Sequence, residues 1–371
     1  MKISLLCFDL SDNSLGRAAL LAQALSRYYD VELIGPAKSG AIWSPLSDTK
    51  LPVKWFPWKR YPAFFRTLRE ILRAVDGDIL YACKLRPTSF GIALLKKWQT
   101  GKPLIVDIDD WELGFFYHSG FWGKMGRFLN LSNPNGLPYT WLMEKLVGFA
   151  DGITVSNHFL RKRFSGEILY HCRDTSVLDP AKYDPAKIKQ KLRLEEKKII
   201  MFLGTPRGHK GVEDLIASME QVRARDAHLV IVGGDAESSP DVDRVTIVSK
   251  VPFAELGEYL SAADIVVVPQ RLTSDTVGQM PAKIFDAMAM SKPIITTPVS
   301  DIPEVLGDCG YFIEPGNIPQ LAETIDYIFE HREEARLKGH KARERCMELY
   351  DLKVLEKKLL VLMRKFNKKP G

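Results

Sequence analysis

Cysteine is scarce and badly placed for framework chemistry. Cys7, Cys83, Cys172, Cys309 and Cys346 are scattered, with no CxxC pair and no histidine at ligand spacing. That excludes a disulfide scaffold and a zinc site as organising features, and it fits a reducing cytoplasm. Long apolar runs are also lacking: none approaches the roughly 18 residues of a membrane span. The opening "MKISLLCFDLSD" meets Asp9 too soon for a signal peptide and reads as a first strand. Neither a Walker A loop nor a GxGxxG fingerprint occurs, and there is no low-complexity tract or short-period repeat.

What is present describes a globular protein. The 371 residues exceed what one hydrophobic core usually supports, so two domains are expected. Hydrophobic residues make up 46% and charged residues 26%, with a formal net charge of +6, a mild attraction for anions that does not choose among nucleotides, phospholipids and nucleic acid.

Short β-rich apolar runs alternate with helix-period segments. The first half holds "KISLLCF", "VELIGP", "DILYAC", "PLIVDID", "GITVS" and "EILYHC"; the second holds "KIIMFLG", "HLVIVGG", "VTIVS", "DIVVVP", "PIITTP" and "GYFIEP". Runs apolar on successive residues suit strands buried on both faces, as in parallel sheets covered by helices. Between two of them, "VEDLIASMEQV" spaces Val212, Leu215, Ile216, Met219 and Val222 as one helical face. The proline- and charge-rich segment 179–198 is the candidate linker, giving domains 1–180 and 181–350 before a helical, basic end at 351–371. The expected fold class is α/β: two Rossmann-like, doubly wound parallel-sheet domains facing across a cleft, with ligand chemistry in loops after the strand ends.

"KIIMFLGTPRGHKGVEDLI" is the most informative of these loops. A strand ends at Gly204, the loop carries Arg207, His209 and Lys210, and a helix begins near Val212. Free N–H groups at the helix start and adjacent cations suit a phosphate or diphosphate, although an exposed basic loop with turn glycines has the same composition. Gly233 and Gly234, after "HLVIV", form a lone pair that reads equally well as a turn.

The stretch "PAKIFDAMAMSKPII" poses a different question, because an almost wholly apolar helix carries Lys283 and Asp286. Pro281 suits the first helical position, which places Lys283 where the helix dipole disfavours a cation. Two answers fit: an ion pair between Lys283 and Asp286, or a polar ligand whose hydroxyls meet the carboxylate while its phosphate meets the ammonium.

In order along the second half, "FLGTPRGHKGVEDLI", "LVIVGGD", "VPFAELGEYLSAADIVVVPQ", "PAKIFDAMAMSKPIITTPVSDIPEVL" and "GYFIEPGN" resemble the C-terminal domain of glycosyltransferase family 4, retaining nucleotide-sugar enzymes of GT-B fold. The first half is similar more loosely, through "LGRAALLAQALSRYYDVELI", "ADGITVSNHFLRKRF" and Asp174. By this resemblance Lys210 contacts the donor diphosphate, Asp286 the nucleotide ribose, and Val251 and Pro252 the base. Thr205 stands where a basic residue is expected, so Arg207 is the candidate for that role from a shifted position. The family's second acidic residue falls at Gly278, with Asp275 a candidate substitute. Val277, Gly278 and Gln279 still offer backbone N–H groups to the sugar. Gly16 and Arg17 fall in the Gly-containing loop after the first strand, and Asp109 and Asp110 of "DIDDWE" align with an active-site pair, though the same residues could cap the next helix. The resemblance also implies that the 351–371 helix packs back on the first domain, and that no metal or other cofactor is needed beside the nucleoside-diphosphate sugar co-substrate.

The acceptor side is less legible. Residues 54–73, "KWFPWKRYPAFFRTLREILR", interleave basic and aromatic residues; Phe64, Leu68, Ile71 and Val75 form one stripe, and Arg66, Arg69 and Arg73 share another face. An anionic bilayer or a lipid-linked acceptor suits this pattern, as does a packed helix with a solvated arginine side. "HSGFWGKMGRFLNLSNPNGLPYTW" adds Phe121, Trp122 and Lys124 in an expected loop. Nucleic acid is not expected as a partner. The reading is a cytoplasmic retaining transferase at the inner membrane face, acting on a sugar, oligosaccharide or lipid-linked acceptor in envelope, exopolysaccharide or glycolipid synthesis. The alternatives are a same-fold epimerase or phosphorylase, and a nucleotide-binding scaffold that does not turn over.

Overall fold

A computed structural model describes residues 1–117, 121–235 and 243–366. Two compact units divide the chain: residues 1–171 with 277–280 and 355–371 form the first, and residues 172–276 with 281–354 form the second. The division thus falls at Cys172 rather than at residue 180. The physical reason lies in the supposed linker, which is structured. Asp184 caps a helix at Pro185–Leu192, accepting a bond from Ala186 N–H at 3.0 Å, and Ile188 on that helix is buried. Tyr183 packs so closely on Gly257 that a Cβ there would lie 2.2 Å from its ring.

The first unit is built on a seven-stranded sheet of order β3-β2-β1-β4-β5-β6-β7. Its strands are β1 (Lys2–Cys7), β2 (Asp30–Ala37), β3 (Val53–Pro57), β4 (Ile79–Cys83), β5 (Leu104–Ile108), β6 (Gly152–Val155) and β7 (Glu167–Ile168), all parallel. The second holds six parallel strands of order β10-β9-β8-β11-β12-β13. These are β8 (Lys198–Leu203), β9 (Ala227–Val232), β10 (Val245–Val248), β11 (Ile265–Val268), β12 (Ile294–Thr296) and β13 (Gly310–Phe312). Both orders reverse after the third strand outward, the doubly wound arrangement whose ligand crevice opens at the strand ends where the order reverses. In the first sheet that switch lies between β1 and β4, in the second between β8 and β11.

The strands are apolar on both faces because helices cover both faces. In the second unit Ile200, Phe202, Leu229, Ile231 and Val267 pack with Val212, Leu215 and Met219 of the helix Val212–Gln221, the stripe that the periodicity predicts. In the first, Phe64, Ile71 and Val75 face the core while Arg66, Arg69 and Arg73 are exposed. One strand had no counterpart among the apolar runs. β3, "VKWFP", is an edge strand paired to β2, with Lys54 reaching Glu32 at 2.7 Å and Trp55 exposed. The stretch expected as a loop around 118–141 instead contains helices at Phe121–Leu129 and Leu137–Leu146; the side chains of Phe121, Trp122 and Lys124 lie outside the described residues.

Candidate functional site

In the second unit, β8 runs into the loop 204–211. Gly204 is the pivot: a Cβ there would lie 3.6 Å from Lys283 Nζ and 4.0 Å from Lys210 Nζ, so two ammonium groups from separate elements converge at the end of this strand. Lys210 donates to the Thr205 carbonyl at 2.9 Å. Gly211 closes the loop with φ +67°, and a Cβ on it would sit 1.9 Å from the Pro269 carbonyl oxygen just beyond β11. Only glycine fits that approach. Arg271 stitches the two loops together, gripping the Asp214 carboxylate at 2.6 and 2.9 Å and donating its N–H to the His209 carbonyl. Arg207 is exposed ahead of Gly208, and Gly233 is packed against Gly204 with φ +104°. Val251 and Pro252 lead into the short turn Phe253–Glu255.

Lys283 sits in the first turn of the helix Ala282–Ala289, with its ammonium 3.8 Å from the centroid of the Phe202 ring. Burial and the neighbouring Lys210 hold its pKa well below the usual lysine value, against the pull of Asp286. Asp286 is not its ion-pair partner. The Asp286 carboxylate is gripped by Arg173, through Nε to one oxygen and Nη2 at 3.1 Å to the other. Burial disfavours the Arg173 charge, but Asp286 more than restores it. Of the two answers open from the sequence, the intrahelical pair is therefore replaced by a long-range one, and Lys283 is left facing Phe202 and Lys210. Arg173 escaped the sequence reading, although it adjoins Asp174, because only the fold brings it to Asp286. Asp174 itself is a turn residue, accepting bonds from Ser176 and Val177 N–H. Asp275, the candidate acidic substitute, is engaged by His209 at 3.2 Å and by the Thr273 hydroxyl.

Val277, Gly278 and Gln279 group with the first unit, where Gly278 packs on Trp111: a Cβ would lie 2.6 Å from the Trp111 Cβ. A carboxylate side chain has no room at this position, which is the physical reason that the acidic pair is broken here.

Also in the first unit, Gly16 and Arg17 lie in the first turn of the helix Leu15–Ser26 rather than in the loop before it. Arg17 is buried and heavily bonded: it grips Asp107 with two bonds of 2.9 Å and donates to the carbonyls of Leu169 and Tyr170 at 2.8 and 3.2 Å. It ties β5 to the chain after β7. Asp109 and Asp110 follow β5, and their carboxylates, with that of Glu112, each bring an oxygen within 4.8 Å of the others. The cation among them is Lys84, 2.9 Å from Asp109 and 3.2 Å from Glu112 and also bonded to Asp110. Lys84 follows β4 with φ +74°, a strained conformation for a lysine, at the reversal of strand order. Its three carboxylates keep it protonated in spite of burial. Burial pushes the Asp109 carboxyl up to about 7, with Lys84 opposing and Asp110 reinforcing the shift. The acidic residues of "DIDDWE" are thus half of a buried charge cluster.

Residues 197–331 match the family of glycosyl transferases group 1. Among curated relatives, α-D-kanosaminyltransferase of Streptomyces kanamyceticus is 24% identical over 162 residues, covering 40% of each chain. The putative teichuronic acid biosynthesis glycosyltransferase TuaC of Bacillus subtilis is 26% identical over 198 residues, 51% of this chain and 49% of the relative. The chain thus spans about half the length of the curated relatives it matches, from 40% to 59%. The solved structure of HepE from Anabaena in complex with UDP-glucose superposes with a TM-score of 0.73 at 14% identity, over 98% of this chain and all of that one. The protein therefore has the GT-B fold. Its second unit carries a group 1 glycosyl transferase domain, the class to which the family 4 resemblance pointed.

Proposed function

We propose that the protein transfers a sugar from a nucleoside-diphosphate sugar to an acceptor hydroxyl, with retention at the anomeric carbon, in the assembly of cell-envelope polysaccharide, exopolysaccharide or glycolipid. The observation that carries this reading is the convergence of Lys210 and Lys283 on Gly204, at the crevice where a doubly wound sheet binds its ligand. Two amine side chains brought together at the end of this strand suit a diphosphate. Negative charge grows on that group as the glycosidic bond breaks, so fixed cations there stabilise the transition state more than the ground state. The helix start at Val212 adds its N–H groups, and Arg207, exposed in the same loop, is assigned to the same anion. The Asp286 carboxylate, oriented by Arg173, keeps lone pairs for the ribose hydroxyls. The relatives support this assignment: HepE was solved with UDP-glucose, and TuaC is named for teichuronic acid biosynthesis.

Transfer in this reading uses no metal, because the charge on the leaving group is met by lysines and Lys84 already occupies the acidic cluster of Asp109, Asp110 and Glu112. Activity is expected to persist in excess EDTA; loss of turnover restored by a divalent ion would overturn that part. We place the protein in the cytoplasm at the inner membrane face. No described helix is long and apolar enough to cross a membrane, while Trp55 and Phe65 are about half exposed beside Arg66, Arg69 and Arg73.

A panel of nucleotide sugars tested by thermal shift identifies the donor, since a ligand that binds only the native form raises its melting point. With that donor, Lys210→Ala should lower turnover by about a hundredfold or more while leaving the melting temperature of the free protein close to that of wild type. Near-normal turnover would remove Lys210 from the mechanism. The absence of an acidic side chain at 278 favours one competing reading, a scaffold that binds nucleotide without turnover; donor hydrolysis without acceptor would exclude it.

A further inference from the structure

The first unit has its own crevice, and nothing in the donor chemistry accounts for it. A cavity of about 320 Å³ opens where that sheet reverses its strand order. Its lining comes from residues just after four parallel strands: Phe8 and Asp9 follow β1, Lys38 follows β2, Trp58 and Arg60 follow β3, and Arg86 lies shortly after β4. This is the position at which an open α/β sheet binds ligands, and the volume falls in the range of small-molecule sites.

The chemistry of the lining is specific. Phe8, Trp58 and Phe116 supply aromatic surface of the kind on which the C–H face of a pyranose packs. Asn133 and Asn135 supply amides, and the Asp9 carboxylate takes its hydrogen bonds from Ser11 and from Lys38 N–H all on one oxygen, Oδ1. These groups suit hydroxyls. The three cations are not equivalent. Arg86 is a wall residue: Glu112 neutralises it, Thr140 and the Asn135 carbonyl accept from it, and its guanidinium lies between Phe8 and Phe116 at 5.8 and 5.1 Å from their centroids. Lys38 and Arg60 are exposed and have no carboxylate partner among the described residues. Lys38 lies 5.8 Å over the Trp58 ring, and Arg60 reaches only the Ser132 hydroxyl at 3.3 Å. A neutral sugar leaves both charges without an anion, and a metal ion would face three cations against one lining carboxylate.

We propose that this cavity is the acceptor subsite and that it takes a carbohydrate bearing an acidic group, its ring against Trp58 and its anion between Lys38 and Arg60. The assignment as acceptor rests on the transferase reading; binding of an acidic sugar does not. The anion has two sources, a free sugar phosphate or uronate and the diphosphate of a lipid-linked sugar.

The test uses the full chain in titration calorimetry with glucose 6-phosphate, glucuronate, glucose, inorganic phosphate and a short-chain polyprenyl-diphosphate sugar. At least one acidic sugar is expected to bind about tenfold or more tighter than glucose, the scale of a charge-assisted bond, and tighter than phosphate alone. Lys38→Ala combined with Arg60→Ala should erase that preference at an unchanged melting temperature, since both side chains are on the surface. Trp58→Ala should weaken acidic and neutral sugars alike. Binding of the lipid-linked probe alone assigns the membrane source, and binding of the water-soluble probes assigns the free one. Equal binding of glucose and every acidic sugar, binding explained by phosphate alone, or a preference that survives the double substitution would overturn the proposal. Failure of donor turnover would instead sink the transferase reading while leaving these affinities standing.

Discussion

Lys283 is the residue whose chemistry is most exposed to test, because its surroundings oppose its charge. Burial and Lys210 depress its pKa, and only Asp286, already held by Arg173, pulls the other way. The sign of the linkage follows. Unfolded, the amine has the usual value of 10.5; folded, it sits well below that. Its contribution to stability is fully present above the unfolded value and is lost as pH falls through the folded one, where a cation must be buried beside another cation. A bound diphosphate reverses the balance by supplying the missing anion, so binding should draw a proton onto Lys283 at any pH between its free and bound values. Titration with UDP in buffers of different ionisation enthalpy should show proton uptake within that pH interval. Lys283→Arg should abolish the uptake, since guanidinium stays charged throughout. Buffer-independent heats in the wild type would show that the ammonium does not meet the phosphates.

At the scale of elements, the site depends on how closely the loop after β8 approaches the end of β11. Gly211 is the contact point, combining φ +67° with a would-be Cβ only 1.9 Å from the Pro269 carbonyl oxygen. Gly211→Ala must shift backbone as well as strain it. It should destabilise the protein by more than about 1 kcal/mol in urea unfolding and weaken nucleotide binding, because Lys210 moves with the loop. Wild-type values for both would mean that the loop adapts freely. This element was legible in the sequence: a buried run, a glycine, cations and a helix start are all local signals. The parallel strands were legible for the same reason, since burial on both faces writes continuous apolar runs. β3 was not, because an edge strand with Lys54, Trp55 and Pro57 has one wet face and carries no such run. Nor were Arg173 and Lys84, whose partners lie 113 residues away in one case and 26 in the other. Arg17 misled in the opposite direction: its position in the sequence suggested a ligand contact, but its partner is Asp107, 90 residues on. Local patterns reveal which loops follow strands; which charges are already paired is decided by tertiary contacts.

For the molecule as a whole, the open question is where it works, and surface charge makes that measurable. The formal net charge of +6 is modest, but in the first unit it is concentrated where apolar groups are also bare. Arg66, Arg69 and Arg73 share the solvent face of the helix Phe64–Ala74, Phe65 on the same helix is 53% exposed, and Trp55 on β3 is 48% exposed. Each basic residue near an anionic bilayer contributes about 1 kcal/mol. Arg66 contributes less, since Glu70 lies 3.2 Å from its Nε. The three arginines together then strengthen partitioning by roughly tenfold to a hundredfold, a range that vesicle sedimentation resolves. Phosphatidylglycerol-containing vesicles should retain the protein and phosphatidylcholine vesicles should not, with retention falling as salt is raised. Replacing all three arginines by glutamine should release it from the anionic vesicles. Phe65→Ser should weaken retention in a way that salt does not mimic, because on a bilayer an exposed ring acts by insertion and arginines by charge. If neutral and anionic vesicles bind equally, or neither binds, the basic face is a solvated helix side and the acceptor must reach the protein from solution.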